Sequence, residues 1–224
     1  MCGRYALTLP DDAMARLFRA QPSNRLPKLP NYNICPSDQV HVVMQEAGGR
    51  RLRPMRWGFL PSWYQTPTAG PLLINARAET LADKPAFRAA CRQRRCLIPA
   101  SGFYEWERRA ETRLPWYVLR RDGAPMALGG IWQDWGRDDP QPTCAIVTTA
   151  ANPVLAPIHH RMPLLLEPED WPLWLGEAGH GAARLMRPAA EEILVRHRVG
   201  TEINSNRAEG PGLIEELIEP FDPE

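Results

Sequence analysis

Apolar positions along this chain recur in short runs bounded by turn residues, not in long helical stripes. Residues 40–45 and 52–57 read as two strands about the Gly48-Gly49 turn. Residues 96–99, 116–120, 126–132 and 144–149 are further strand candidates. Helical spacing is confined to brief segments. Pro10-Asp11-Asp12 ahead of Ala13-Met14-Ala15-Arg16-Leu17-Phe18 predicts a capped amphipathic helix. Residues 85–94 predict a second helix with Pro85 near its start, and residues 152–156 and 169–175 predict shorter ones. The stretch 21–36 is polar and proline-rich and reads as a loop. Strands outnumber helices without βαβ alternation. The expected class is therefore α+β: one domain over residues 1–224, with a mostly antiparallel twisted sheet or open barrel and short flanking helices. Residues from about 209 to 224 are expected to fray.

Composition narrows the function classes. At 224 residues and 44% hydrophobic, the chain can bury one substantial core. No apolar run approaches the roughly 20 residues that cross a bilayer, and Asp11 and Asp12 precede any apolar stretch that a signal peptide would need. Five cysteines without framework spacing fit a reducing cytoplasm. Cys91 and Cys96 are too far apart for a CxxC unit, so a structural zinc site is not expected, and no cofactor is expected either. The net charge of +1 does not by itself indicate a nucleic-acid partner. Only Lys28 and Lys84 among the 27 basic residues are lysines. The arginines suit phosphate recognition, and they equally suit a GC-rich genome. With so few lysines, the N-terminal amine stands out as a possible imine former.

That terminus is Met1-Cys2-Gly3-Arg4-Tyr5. Removal of Met1 would expose Cys2 with an α-amine of reference pKa about 8. Its thiol would titrate near ~8.5 and is easily lowered by cationic neighbours. Together the two can close a five-membered ring on an aldehyde. Three more segments place polar residues among apolar or rigid ones. Asn75 follows a mostly apolar run, Glu105 lies between Tyr104 and Trp106, and His159 and His160 precede Arg161. Each residue has a structural alternative: a turn asparagine, an edge-strand carboxylate, a core histidine. Taken together, cysteine, asparagine, carboxylate and histidine are the parts of covalent catalysis with proton transfer.

The motifs occur in order along nearly the whole chain: Met1-Cys2-Gly3-Arg4, Tyr32-Asn33-Ile34-Cys35-Pro36, a Trp-Gly-x-x-Pro-x-Trp segment from Trp57 to Trp63, Asn75-Ala76-Arg77-Ala78-Glu79-Thr80, Gly102-Phe103-Tyr104-Glu105-Trp106 and Ile158-His159-His160-Arg161-Met162-Pro163. In this the chain resembles the SRAP family (SOS response-associated peptidase-like proteins), which form crosslinks with abasic sites in DNA. Cys35 stands where the family pattern has alanine. The resemblance implies a single-stranded DNA partner carrying an abasic site, captured by Cys2 as a thiazolidine. It further implies that Asn75 positions Cys2, Glu105 moves protons, and His159 acts at the sugar ring oxygen. Arg4, Arg77 and Arg161 become candidates for phosphate contacts, with Asn33, Pro36, Trp57 and Trp63 as further DNA contacts by stacking or hydrogen bonding. Trp57 and Trp63 are equally candidates for the core. A thiol or N-terminal-nucleophile peptidase using the same residues is the rival enzyme, a non-catalytic single-strand binder the rival module, and an AP-lyase reaction a side activity. A monomer in the cytoplasm, associated with the nucleoid during repair and not with a membrane, is expected.

Overall fold

The computed structural model describes residues 2–109 and 112–218. Among these the chain forms β1 (Tyr5–Leu7), α1 (Asp11–Phe18), β2 (Ala20–Pro22), β3 (Asn31–Ile34), β4 (Gln39–Glu46), β5 (Gly49–Trp57) and β6 (Asn75–Arg77). It continues through α2 (Arg88–Gln93), β7 (Arg95–Ala100), β8 (Gly102–Arg109), β9 (Thr112–Arg120), β10 (Met126–Trp135) and β11 (Gln141–Ala150). The last elements are β12 (Arg161–Pro163), α3 (Trp171–Leu175) and β13 (Leu194–Arg198), with 3-10 turns between.

One sheet has the order β12-β11-β10-β7-β4-β5-β2, and the other β13-β9-β8-β1-β3. The first sheet closes on itself. β5 also pairs in parallel with β11, through Arg56 with Thr143 and Trp57 with Cys144. The circuit β5-β4-β7-β10-β11 is thus a barrel, closed where the sequence suggested an open one. The α+β class holds, with antiparallel and mixed sheets and few helices. The barrel interior and the faces around it hold one large apolar cluster that includes Val42, Leu52, Met55, Leu97, Ile98 and Ile146, all essentially inaccessible. Close approach inside it requires Gly130 on β10, where a Cβ would stand 2.9 Å from Cys96 Sγ and from Ile98 Cδ1. Burial of this kind contributes about 25 cal/mol per Å² of apolar surface.

A smaller cluster of Ala6, Tyr104, Tyr117, Val199, Ile203 and Leu213 lies on the other face of the second sheet. Within the stretch expected to fray, residues up to 218 are described, and Leu213 belongs to this cluster. It is buried, Ile214 O is 2.9 Å from His197 Nε2, and Leu217 N donates to Arg198 O at 2.8 Å. Residues 219–224 lie outside the described chain. The segment 21–36 also differs from expectation, since β2 pairs with β5 and β3 with β1. These strands form because neighbours offer backbone partners, a cause that side-chain alternation does not display. Residues 152–156 make turns instead of a helix, with Asn152 Oδ1 accepting from Leu155 N at 3.1 Å. Of 85–94 only Arg88–Gln93 is helical. Helix α1 begins as expected, although Pro10 occupies the N-cap and no side chain caps it. No helix among the described residues is long and apolar enough to cross a membrane.

Candidate active site

The N-terminal segment is drawn along β8. Tyr5 pairs with Phe103 and Ala6 with Gly102, and Tyr104 N donates to Arg4 O at 2.9 Å. This register needs Gly102, where a Cβ would come within 2.7 Å of the Val118 carbonyl. The ring of Tyr5 meets Trp57 edge-on, with centroids 5.3 Å apart, and fixes the strand to the barrel. Cys2 therefore sits fully buried at the mouth between the two sheets.

Three distant segments converge on it. Asn75, the first residue of β6, donates its Nδ2 to Cys2 O at 2.9 Å, while its buried Oδ1 has no hydrogen-bond partner among the described residues. β6 reaches this point because it pairs in parallel with β11, Asn75 opposite Ile146. Glu105 on β8 is buried at 3% exposure, and burial holds its carboxyl above the ordinary carboxylate range. Burial first, and the Glu105 charge second, push the Cys2 thiol far up. The expectation of a readily ionised thiol is corrected: desolvation outweighs any cation nearby. Cys2 Sγ faces Arg4 O at 4.0 Å.

His159 closes the cleft from the segment between β11 and β12. Its Nδ1 accepts the backbone N–H of Arg161 at 3.0 Å, so the neutral ring carries its proton on Nε2. Burial, then neighbouring positive charge and His160, lower its pKa to about 4. His160 stacks on it at 4.4 Å between centroids. At neutral pH His159 is thus a neutral ring presenting an N–H donor. Glu105 and His159 line one cleft of about 520 Å³ together with Gly3, Arg4, Trp106 and Arg108. Asn75 borders a second, more apolar cleft of about 540 Å³ with Trp63, Arg77, Lys84 and Phe87. The four expected catalytic side chains are accordingly brought to one locus, between two clefts.

The expected DNA contacts divide. Arg77 and Trp63 are exposed at the second cleft, Trp63 by 54%. Pro36 is half-buried. Arg4 borders the first cleft, but its Nη1 is engaged by Asn33 Oδ1 at 2.6 Å and by the carbonyls of Ile203 and Ser205. Asn33 is buried and donates to Ser205 O and Ala208 O, so it organises this loop from within. Two of the expected contacts lie inside the fold. Trp57 has no exposed surface and donates its indole N–H to Ile74 O at 3.0 Å, which leaves no face for a base. Arg161 is buried and held bidentately by Glu79 at 2.6 and 2.9 Å, with Thr148 O as a third partner. Cys35 Sγ lies 3.3 Å from Asn33 O, and the thiol occupies the alanine position by facing a carbonyl.

Sequence reasoning missed Arg108, Arg113 and Asn204, all on the first cleft. Arg108 lies two positions beyond Trp106, which in a strand is the same face. Arg113 could be placed only by knowing that β8 and β9 form a hairpin, and Asn204 only through tertiary packing. Among the described residues no cluster of histidine, cysteine and carboxylates is arranged to hold a metal ion.

Residues 1–206 match the family described as SOS response associated peptidase (SRAP). The chain is 33% identical over 224 residues to the abasic site processing protein YoqW of Bacillus subtilis, covering 96% of this chain and 99% of that protein. It is 31% identical over 180 residues to the abasic site processing protein YedK of Escherichia coli, covering 78% and 79%. It is also 27% identical to the abasic site processing protein HMCES of Pongo abelii, covering 99% of this chain and 77% of that one. A solved structure of a protein from Bacteroides thetaiotaomicron shares the fold with a TM-score of 0.86 at 22% identity, covering 97% of this chain and all of that one.

Proposed function

The chain belongs to the SOS response associated peptidase (SRAP) family, and on that premise we propose that it processes abasic sites in single-stranded DNA by capturing them covalently through Cys2. The observation that supports this reading most is the convergence of Asn75, Glu105 and His159, from three separate segments, on the second residue of the chain. An ordinary core cysteine would not need a carboxylate, an amide and a neutral imidazole around it.

The chemistry begins once Met1 is removed. The α-amine of Cys2 adds to C1′ of the open-chain sugar aldehyde, and the carbinolamine loses water to give an imine. The sulfur then bonds to the same carbon while the thiol proton passes to the nitrogen, closing a thiazolidine. The amine is the first nucleophile, and the thiol delivers its proton as the ring closes. Glu105, with its raised pKa, takes a proton from the adding amine and returns one to the departing water. His159 donates from Nε2 toward the sugar ring oxygen and favours ring opening. Asn75 anchors the Cys2 carbonyl and leaves Oδ1 to accept from the amine.

The peptidase reading draws less support. A thiol protease needs a thiolate, and burial here opposes one. The test is incubation of protein lacking Met1 with single-stranded DNA carrying one abasic site, followed by a denaturing gel. A heat-stable band that requires both Cys2 and the lesion is expected. An unchanged band from Cys2→Ala would remove Cys2 from the reaction.

A further inference from the structure

Arg108 and Arg113 face each other across the β8–β9 ladder, directly opposite in register. Like charges so placed repel and weaken a strand pair. Neither has a carboxylate partner among the described residues, whereas Arg50, Arg120 and Arg161 are all paired with acids. Both are exposed, and both stand on the wall of the cleft that holds Glu105 and His159. Trp106 lies between this pair and Arg4. Its Nε1 donates to Asn204 Oδ1 at 2.7 Å, and the guanidinium of Arg4 lies over its ring at 5.9 Å. A strip of cation, aromatic ring and two unpaired cations thus runs outward from the reactive centre. The charge of Arg108 reaches inward as well, adding to the depression of His159.

We infer that Arg108 and Arg113 together grip one backbone phosphodiester of the DNA strand, immediately beside the captured sugar, with Trp106 supporting the adjoining nucleotide. The inference rests on the proposed abasic-site reading and adds a phosphate subsite to it. Two guanidinium forks converging on one anion satisfy donors that have no carboxylate partner among the described residues, and the phosphate relieves the repulsion between them. A cleft bordered on one side by cations also concentrates a polyanionic strand next to Cys2.

The probe is a fluorescent single-stranded oligonucleotide carrying tetrahydrofuran, an abasic analogue without an aldehyde, with binding read by anisotropy across a salt series. Arg108→Ala/Arg113→Ala is expected to bind about tenfold more weakly at low salt. Its slope of log affinity against log salt should be shallower by about 0.7, the value for one phosphate on a single strand. Oligonucleotides with a single neutral methylphosphonate at each linkage near the lesion locate the contact. At one flanking linkage the neutral substitution should weaken the unmodified protein and leave the double variant unaffected. Arg108→Gln/Arg113→Gln serves if the alanine pair folds poorly. Equal salt slopes for the variant and the unmodified protein would overturn the inference. So would a methylphosphonate penalty that is the same in both proteins at every position. The analogue cannot form an imine, so failure of covalent capture leaves this readout untouched, and equal slopes leave capture untouched.

Discussion

Asn75 Nδ2 donates to Cys2 O at 2.9 Å, joining residues 73 positions apart. The bond ties the N-terminal segment, which pairs with β8 in one sheet, to β6 in the other.

Asn75→Ala should therefore lower the capture rate more than it lowers stability. Losing one hydrogen bond costs about 1 kcal/mol of folding. Mispositioning the amine should cost the capture rate on the order of 100-fold. Single-turnover kinetics and thermal unfolding of the same sample check both values. A rate change no larger than the stability change would reduce Asn75 to a structural tie.

His159 gives a pH prediction. Its folded pKa, about 4, lies below the ordinary imidazole value of 6.5. Between these values the unfolded chain binds more protons than the folded one, so stability rises with pH through this window and falls on acidification. His159→Gln should flatten that part of the melting-temperature profile. Because Gln retains an N–H donor, it should also keep more capture activity than His159→Ala. Melting curves from pH 4 to 7 and parallel capture assays decide this, and equal losses in Gln and Ala would count against the donor role.

Glu105→Gln removes a carboxyl whose pKa burial has raised. Capture by the unmodified protein should climb with pH across the acid range as this group ionises. The Gln variant should be slower by about 10²–10⁴, a typical contribution of general acid–base catalysis. Its acid limb should then shift to that of the amine alone. A rate–pH series on both proteins is the check.

How much of this was legible in sequence differs from part to part. Cys2, Asn75, Glu105 and His159 could be named because each sits in a short motif whose residue types carry chemistry. Strand pairs such as β4–β5 were legible from alternation about Gly48-Gly49. β2 and β3 were not, because they depend on backbone partners far away in the chain. Trp57 and Trp63 open and close one motif, yet the first is fully buried and the second more than half exposed. Linear spacing cannot decide which side of a barrel wall a tryptophan occupies. Nor does linear spacing show that Arg161 meets a carboxylate 82 positions away.

These placements predict contrasting variants. Trp57→Ala should cost about 3–5 kcal/mol of stability, as for other buried tryptophans. Trp63→Ala should stay within about 0.5 kcal/mol and weaken DNA binding. Arg161→Met should destabilise by a few kcal/mol, because Glu79 and Thr148 O lose their partner. The salt slope of DNA binding by the folded protein should not change. Denaturant unfolding and anisotropy together test all three, and a shallower slope for Arg161→Met would restore that residue as a phosphate contact.

The central claim is that the amine and the thiol of Cys2 both bond to the sugar. Its most direct test is peptide mass spectrometry of the protein–DNA conjugate after nuclease and protease digestion, with iodoacetamide to label free thiols. The account predicts the sugar remnant on a peptide that begins at Cys2 and resists alkylation. A remnant on Lys28 or Lys84, or on a peptide still carrying Met1, would contradict it.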